Sequence, residues 1–183
     1  MKKLLRLADD EGIDLWSLDE CHFEQHGTRC RMWVPPEDKD PVVLQAPTRR
    51  SVAPFGAVNL RDGRMVTFLV PVFDAFSFEA FLRLLWRYHR PDRPMVIITD
   101  NAPYHHSEEL DPFLESHRGL KLDYLPPYSP QLNPIERVWK LLRRLRTHNV
   151  YFETLEELIE TVSHQLATWR KPNAVLQKLC CIT

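Results

Sequence analysis

The sequence predicts an α/β protein built on a mixed sheet with helices on its faces, and three observations carry that prediction. Residues 14–19, 53–59 and 65–72 have strand character, and an Asp-Gly pair between the last two is a strong hairpin signal, so the first half is mainly antiparallel. The run Met95–Thr99 is continuously apolar and ends in Asp100, which suits a strand buried on both faces. From Ser77 onward, apolar residues recur at helical spacing between and after the remaining strands. The resulting order is β-β-β-α-β-α-β-α-α: three antiparallel strands and two parallel ones.

Taken in order, residues 14–19 (DLWSLD) alternate apolar and polar and deliver Asp19 to a strand end. Residues 29–33 are at best a second short strand, because Pro35-Pro36 follow at once. Residues 37–51 read as a loop with mixed charges and the basic pair Arg49-Arg50. The hairpin strands come next. The spacing of Phe78, Phe81, Leu82 and Leu85 predicts a helix capped by Ser77 and stopping near Arg90, since Pro91 disfavours a helical residue before it. After the buried strand, residues 107–117 can form a helix with Pro112 in its first turn, and residues 120–125 a short strand. Pro126-Pro127-Tyr128-Ser129-Pro130 forces a rigid loop. A helix then starts with Asn133 as cap and Pro134 at its first position, and its stripe is Ile135, Val138, Leu142 and Leu145. The last helix, about 154–170, opens on the capping-box pair Thr154 and Glu157.

The 183 residues fit one domain, with a core at about 14–147 and the last helix appended. A formal net charge of −1 excludes a globally basic nucleic-acid binder but leaves local basic patches open. No apolar run reaches the roughly 20 residues that span a bilayer, and acids interrupt the basic start before a signal-peptide core can form. Four cysteines are too few for a disulfide scaffold, so the expected setting is a reducing cytoplasm, with no membrane partner. The segment from Cys21 to Cys30 offers zinc-like ligands, but its spacing matches none of the usual finger patterns.

Three acids stand out by position. Asp19 and Asp100 end strands, where functional groups gather in open α/β sheets, and Glu136 lies in the first turn of a helix. If the two strands are neighbours, the two carboxylates face each other and repel unless a cation neutralises them. A third carboxylate completes an all-oxygen cluster suited to hard divalent ions such as Mg²⁺, the usual equipment of two-metal phosphoryl transfer. The plainer reading is three surface carboxylates at turns and at a helix start, where the helix dipole favours Glu anyway.

LDECHF (18–23), TDNAPYH (99–105) and PPYSPQLNPIERVWK (126–140) closely resemble the motifs of IS630/Tc1-mariner-type transposases, a DDE superfamily with a ribonuclease H-like catalytic domain. The resemblance runs from about residue 14 to 170, places Asp19, Asp100 and Glu136 on the family's catalytic acids, and leaves 35 residues between the last two. It implies two Mg²⁺ (or Mn²⁺) ions, cleavage of DNA at transposon ends and strand transfer into target DNA. Family members usually carry helix-turn-helix modules before this domain. Only about 13 residues precede the first strand here, which implies a truncated copy or a frameshift product, acting as a homodimer or with a polypeptide that supplies those modules. The implied location is the prokaryotic cytoplasm, at the nucleoid.

Around the acids, Asn101 is expected near the metal or bracing the turn, and His105 behind the acids, at DNA or simply on the surface. Tyr128 and Asn133 should shape the loop that presents Glu136. Lys140, Arg143 and Arg144 follow Glu136 at i+4, i+7 and i+8, and with Arg137 they suggest a rail for DNA phosphates; Arg49 and Arg50 are a weaker instance. The competing functions are a nuclease that does not transpose, and a non-enzymatic regulator that binds DNA or a full-length transposase.

Overall fold

The computed structural model describes residues 2–38 and 42–182, so residues 39–41 of the expected loop lie outside the described residues. The strands are β1 (Asp14–Glu20), β2 (Phe23–Glu24), β3 (Ser51–Asn59), β4 (Met65–Val70), β5 (Met95–Thr99) and β6 (Leu120–Tyr124). The helices are α1 (Lys2–Asp9), α2 (Ala75–Trp86), α3 (Asp111–Ser116), α4 (Ile135–Arg146), α5 (Leu155–Thr168) and α6 (Ala174–Leu179).

The sheet runs β4-β3-β1-β5-β6. β1 is antiparallel to β3 and parallel to β5, and β5 is parallel to β6, so three antiparallel and two parallel strands are present as expected. β2 prolongs β1 along β3 in the same register, from Glu20↔Phe55 to Phe23↔Val52. The interruption falls opposite Pro54. Its carbonyl accepts the Cys21 N–H at 3.1 Å, but a proline has no N–H to return, so the ladder breaks for two residues. The second short strand is therefore at 23–24 rather than 29–33. Phe23 is buried, whereas Met32 and Trp33 face solvent and pair with no strand among the described residues.

The β3–β4 turn needs Gly63, whose φ is +72° and where a Cβ would lie 2.0 Å from the Asn173 carbonyl oxygen. α2 starts earlier than expected because Asp74 is its cap. The Asp74 carboxylate accepts the Ser77 N–H at 2.7 Å, and Ser77 Oγ accepts the Asp74 N–H at 3.0 Å, so Ser77 is the far side of a capping box. The helix also stops at Trp86, four residues before Arg90, which bridges back to Arg93. The 107–117 helix is a short 3₁₀ turn followed by α3, with Pro112 in its first turn. α1 and α6 add to the expected order; α1 is tied down by Arg61, which donates to the carbonyls of Leu7, Ala8 and Asp10.

Two apolar layers cover the sheet. α2 packs Phe78, Phe81, Leu82 and Leu85 against Trp16, Leu18, Phe55 and Val66. On the opposite face α4, α5 and α6 pack Val138, Trp139, Leu142, Leu158, Val162 and Leu176 against Val52, Val58 and Met65. α4 approaches closely because β3 has a glycine under it: a Cβ on Gly56 would sit 2.4 Å from Trp139 Cη2. Gly56 is also the cross-strand partner of Asp19, so the bare spot on β3 lies beside the first acid. Among the described residues, no helix is long and apolar enough to cross a membrane.

Candidate active site

The parallel pairing of β1 and β5 places their carboxyl ends side by side, with Asp19 near the end of β1 and Asp100 just past β5. The alternation of β1 sends Ser17 and Asp19 toward α4, and Trp16, Leu18 and Glu20 toward α2. Glu136 is brought in by α4, whose start is fixed by β1 itself. Ser17 Oγ donates to Asn133 Oδ1 at 2.5 Å and accepts the Ile135 N–H at 3.0 Å, while Asn133 Nδ2 donates to the Leu18 carbonyl at 3.0 Å. Asn133 is therefore not a side-chain cap as expected. Its amide, 2% exposed, is used up on β1, and a hydroxyl from the sheet satisfies the helix N-terminus in its place.

Asp19, Asp100 and Glu136 line one cleft of about 610 Å³, together with Asn101, Asn133 and the loop Pro126–Pro130. Burial pushes the Asp19 carboxyl up to about 8, with the negative charges of Glu20, Glu136 and Asp100 adding to the effect. Asp100 goes the other way. Its Oδ1 lies 3.0 Å from His105 Nδ1, and that hydrogen bond holds the carboxyl below the usual range. Two neighbouring acids are thus shifted in opposite directions, Asp19 toward its protonated form and Asp100 toward its ionised one.

His105 is 1% exposed and wedged against Phe78 and Tyr104, with ring centroids 4.2 and 4.4 Å away. Burial corrects the surface and DNA-contact readings of this residue and leaves a role behind Asp100. Asn101 braces the turn: its amide donates to the Leu125 carbonyl and its oxygen meets His106 Nε2 at 3.2 Å. Tyr128, with a φ of 55°, is fully exposed on the loop beside the cleft.

On α4, Lys140 and Arg144 are exposed on the side of Glu136. Arg143 is half-buried, with its guanidinium 2.8 Å from Cys21 Sγ and over the Phe23 ring. Arg137 donates to the carbonyls of Leu179 and Cys181, closing the C-terminal end of α6. Arg49 and Arg50 are exposed in the loop before β3. For the zinc reading, Cys21 is buried against Arg143 and Cys30 is exposed beside Asn149, and neither joins a group of metal-ligating side chains among the described residues.

Sequence reading missed Glu20. Its carboxylate comes within 4.8 Å of the ligand atoms of Asp100 and His105, on the α2 side of the sheet. Burial raises its proton affinity. Glu20 Oε2, the Tyr104 hydroxyl and His105 Nε2 are all buried; the Tyr104 hydroxyl faces the Glu20 carboxylate, and among the described residues none of the three has a well-formed hydrogen bond. The available signal was the Asp-Glu pair at a strand end, which by alternation puts one acid on each face.

Residues 14–159 match the family model for the DDE superfamily endonucleases. The chain is 32% identical over 117 residues to a Sinorhizobium fredii protein described as uncharacterized, covering 64% of this chain and 82% of that one. It is 30% identical over 91 residues to the insertion element IS630 39 kDa protein of Shigella sonnei (50% of this chain, 26% of that protein). It is 28% identical over 139 residues to the Tc1 transposase of Caenorhabditis elegans (71% and 50%). The fold matches the catalytic domain of Mos1 mariner transposase with a TM-score of 0.67 at 14% identity, covering 98% of this chain and 82% of that one. It matches the Mos1 strand transfer complex at 0.70 and 17%, covering 98% and 54%. The ribonuclease H-like sheet is thus present, and the chain spans about a quarter to a half of the IS630 and Tc1 proteins it matches.

Proposed function

This chain belongs to the DDE superfamily endonucleases, and on that premise we propose that it is the catalytic domain of a metal-dependent transposase that cuts DNA at transposon ends and joins them to target DNA. The observation that carries the reading is the convergence of Asp19, Asp100 and Glu136, from three separate elements, on one cleft. Their chemistry fits a hard divalent cation. All three donors are carboxylate oxygens, and the proton that burial and repulsion hold on Asp19 is the one a cation displaces. Asp19, Asp100 and Glu136 would hold Mg²⁺ or Mn²⁺, two ions in this reading; Mos1 complexes with Mn and with Mg support the choice of metals. When bound, the metal supplies neutralisation of phosphoryl charge and a more acidic attacking hydroxyl.

The chain's own residues do the positioning. Ser17 and Asn133 lock the start of α4, and with it Glu136, onto the strand that carries Asp19. His105 keeps Asp100 oriented and ionised. Lys140 and Arg144 extend from the cleft along α4 as phosphate contacts that carry no sequence information, Tyr128 lines the cleft, and Arg49 and Arg50, exposed before β3, are a weaker instance of the same role. Because Ser17, Asn133 and His105 are buried and hydrogen-bonded, the cost of placing the acids is met by folding rather than in the reaction. End recognition in this reading belongs to helix-turn-helix modules outside the 183 residues, in a dimeric assembly on DNA in the cytoplasm.

The test is incubation with supercoiled plasmid in Mg²⁺, Mn²⁺ or EDTA, with Glu136→Gln alongside and Mn²⁺ binding measured separately by calorimetry. Nicking that requires metal and is lost in the variant is expected. Nicking that survives EDTA or all three acid substitutions, or a folded chain that binds no Mn²⁺, overturns the proposal.

A further inference from the structure

The opposite end of the sheet carries a second site. A pocket of about 390 Å³ opens where β1 begins, at Asp14, about 17 Å along the strand from Asp19. Four arginines reach it, Arg61, Arg64, Arg87 and Arg90, in a chain whose formal net charge is −1. Only two acids line it, and both are already engaged. Asp14 is 3% exposed and accepts from Asn59 at 2.8 Å, Trp16 at 3.3 Å and Arg90 at 3.3 Å. Asp62 pairs with Arg64 at 3.2 Å and also accepts its backbone N–H.

Positive charge is left over. Four guanidinium groups meet two carboxylates, and among the described residues Arg87 pairs with no acid. Tyr88 supports Arg64, whose Cζ lies 5.6 Å from the ring centroid, and Arg87 is exposed at the rim. Surplus guanidinium charge around a pocket whose two acids are already engaged calls for an oxyanion with several acceptor oxygens. Guanidinium groups match phosphate best among common anions.

We propose that this pocket binds a phosphate group, separately from the catalytic cleft. At about 17 Å from Asp19 it cannot hold the phosphodiester under attack. Its ligand is a phosphate elsewhere on a DNA backbone or on a free phosphate-bearing molecule.

Binding of inorganic phosphate is followed by ³¹P NMR line broadening in EDTA at low ionic strength, so that the outcome is independent of metal and of catalysis. The wild type and Asp100→Asn are expected to bind alike, and Arg64→Ala and Arg87→Ala at least 10-fold more weakly. Arg87 is exposed, so its variant keeps the fold if Arg64→Ala does not. A 20-base-pair duplex added to the phosphate-loaded chain then separates the sources: displacement assigns the site to DNA, and persistence assigns it to a free phosphate-bearing molecule. Absence of phosphate binding, or binding unchanged in Arg87→Ala, overturns the proposal.

Discussion

Replacing Asp19 by Asn should make the metal-free protein more stable at neutral pH. At pH 7 the folded chain holds Asp19 protonated, because burial pushes the carboxyl up to about 8, while in the unfolded chain it ionises near its ordinary value of 3.8. A folded carboxyl that is harder to ionise costs nothing below pH 3.8, costs progressively more as pH rises, and levels off above about 8. At about 1.4 kcal/mol for each tenfold change, the penalty at pH 7 is about 4 kcal/mol at most, and solvent at the mouth of the cleft reduces it toward about 2. An asparagine keeps the local geometry, since its oxygen can still accept the Glu20 N–H that Asp19 Oδ1 accepts at 3.1 Å. In EDTA at pH 7, Asp19→Asn should therefore raise Tm by roughly 5–15 °C, at about 2–4 °C per kcal/mol for a chain of this size. The gain should shrink to about 1 kcal/mol at pH 4.5, and Mn²⁺ should stabilise the wild type but not the variant. Scanning calorimetry at the two pH values decides it. A variant no more stable than wild type at pH 7, or a gain independent of pH, refutes the account of Asp19.

Three further outcomes follow from the packing. Ser17→Ala strands the Ile135 N–H and the Asn133 oxygen in the core, so urea unfolding should show a loss of about 1–3 kcal/mol, with nicking reduced beyond what the lost stability explains. Gly56→Ala drives a methyl into Trp139 and should cost about 1–3 kcal/mol, seen as a lower Tm; an unchanged Tm would mean that α4 can lift off the sheet freely. His105→Ala removes the partner of Asp100 and should weaken Mn²⁺ binding by roughly 10–100-fold in calorimetry, with the far-ultraviolet circular dichroism spectrum retained.

The parts of this fold legible in the sequence are those set by local chemistry. β5 could be read to the residue because an apolar run bounded by Pro94 and Asp100 has one plausible register. The three acids were legible because strand ends and a proline-bounded helix start place them. What escaped depends on partners far along the chain. α1 is held by Arg61, more than 50 residues away, and α6 by its fit against α4. Asn133 looks like a helix cap in sequence, but the Ser17 hydroxyl, 116 residues earlier, competes for it and wins because both are buried. His105 could be read behind the acids, at DNA or on the surface, and only Phe78 and Tyr104 closing over it decide for a buried position. The partners of Arg137 and Arg143 likewise come from α6 and Cys21, which no local pattern announces.

The Ser17 clamp also separates two kinds of change that the protein can undergo. The segment from Pro126 to Pro130 forms a wall of the cleft, yet the helix after it takes its position from β1 rather than from this wall. A change of composition within Pro126–Pro130 should therefore reshape the cleft wall while Asp19 and Glu136 stay indexed to the same strand. Two of the three acids are thus indexed to one strand independently of the loop that lines the cleft.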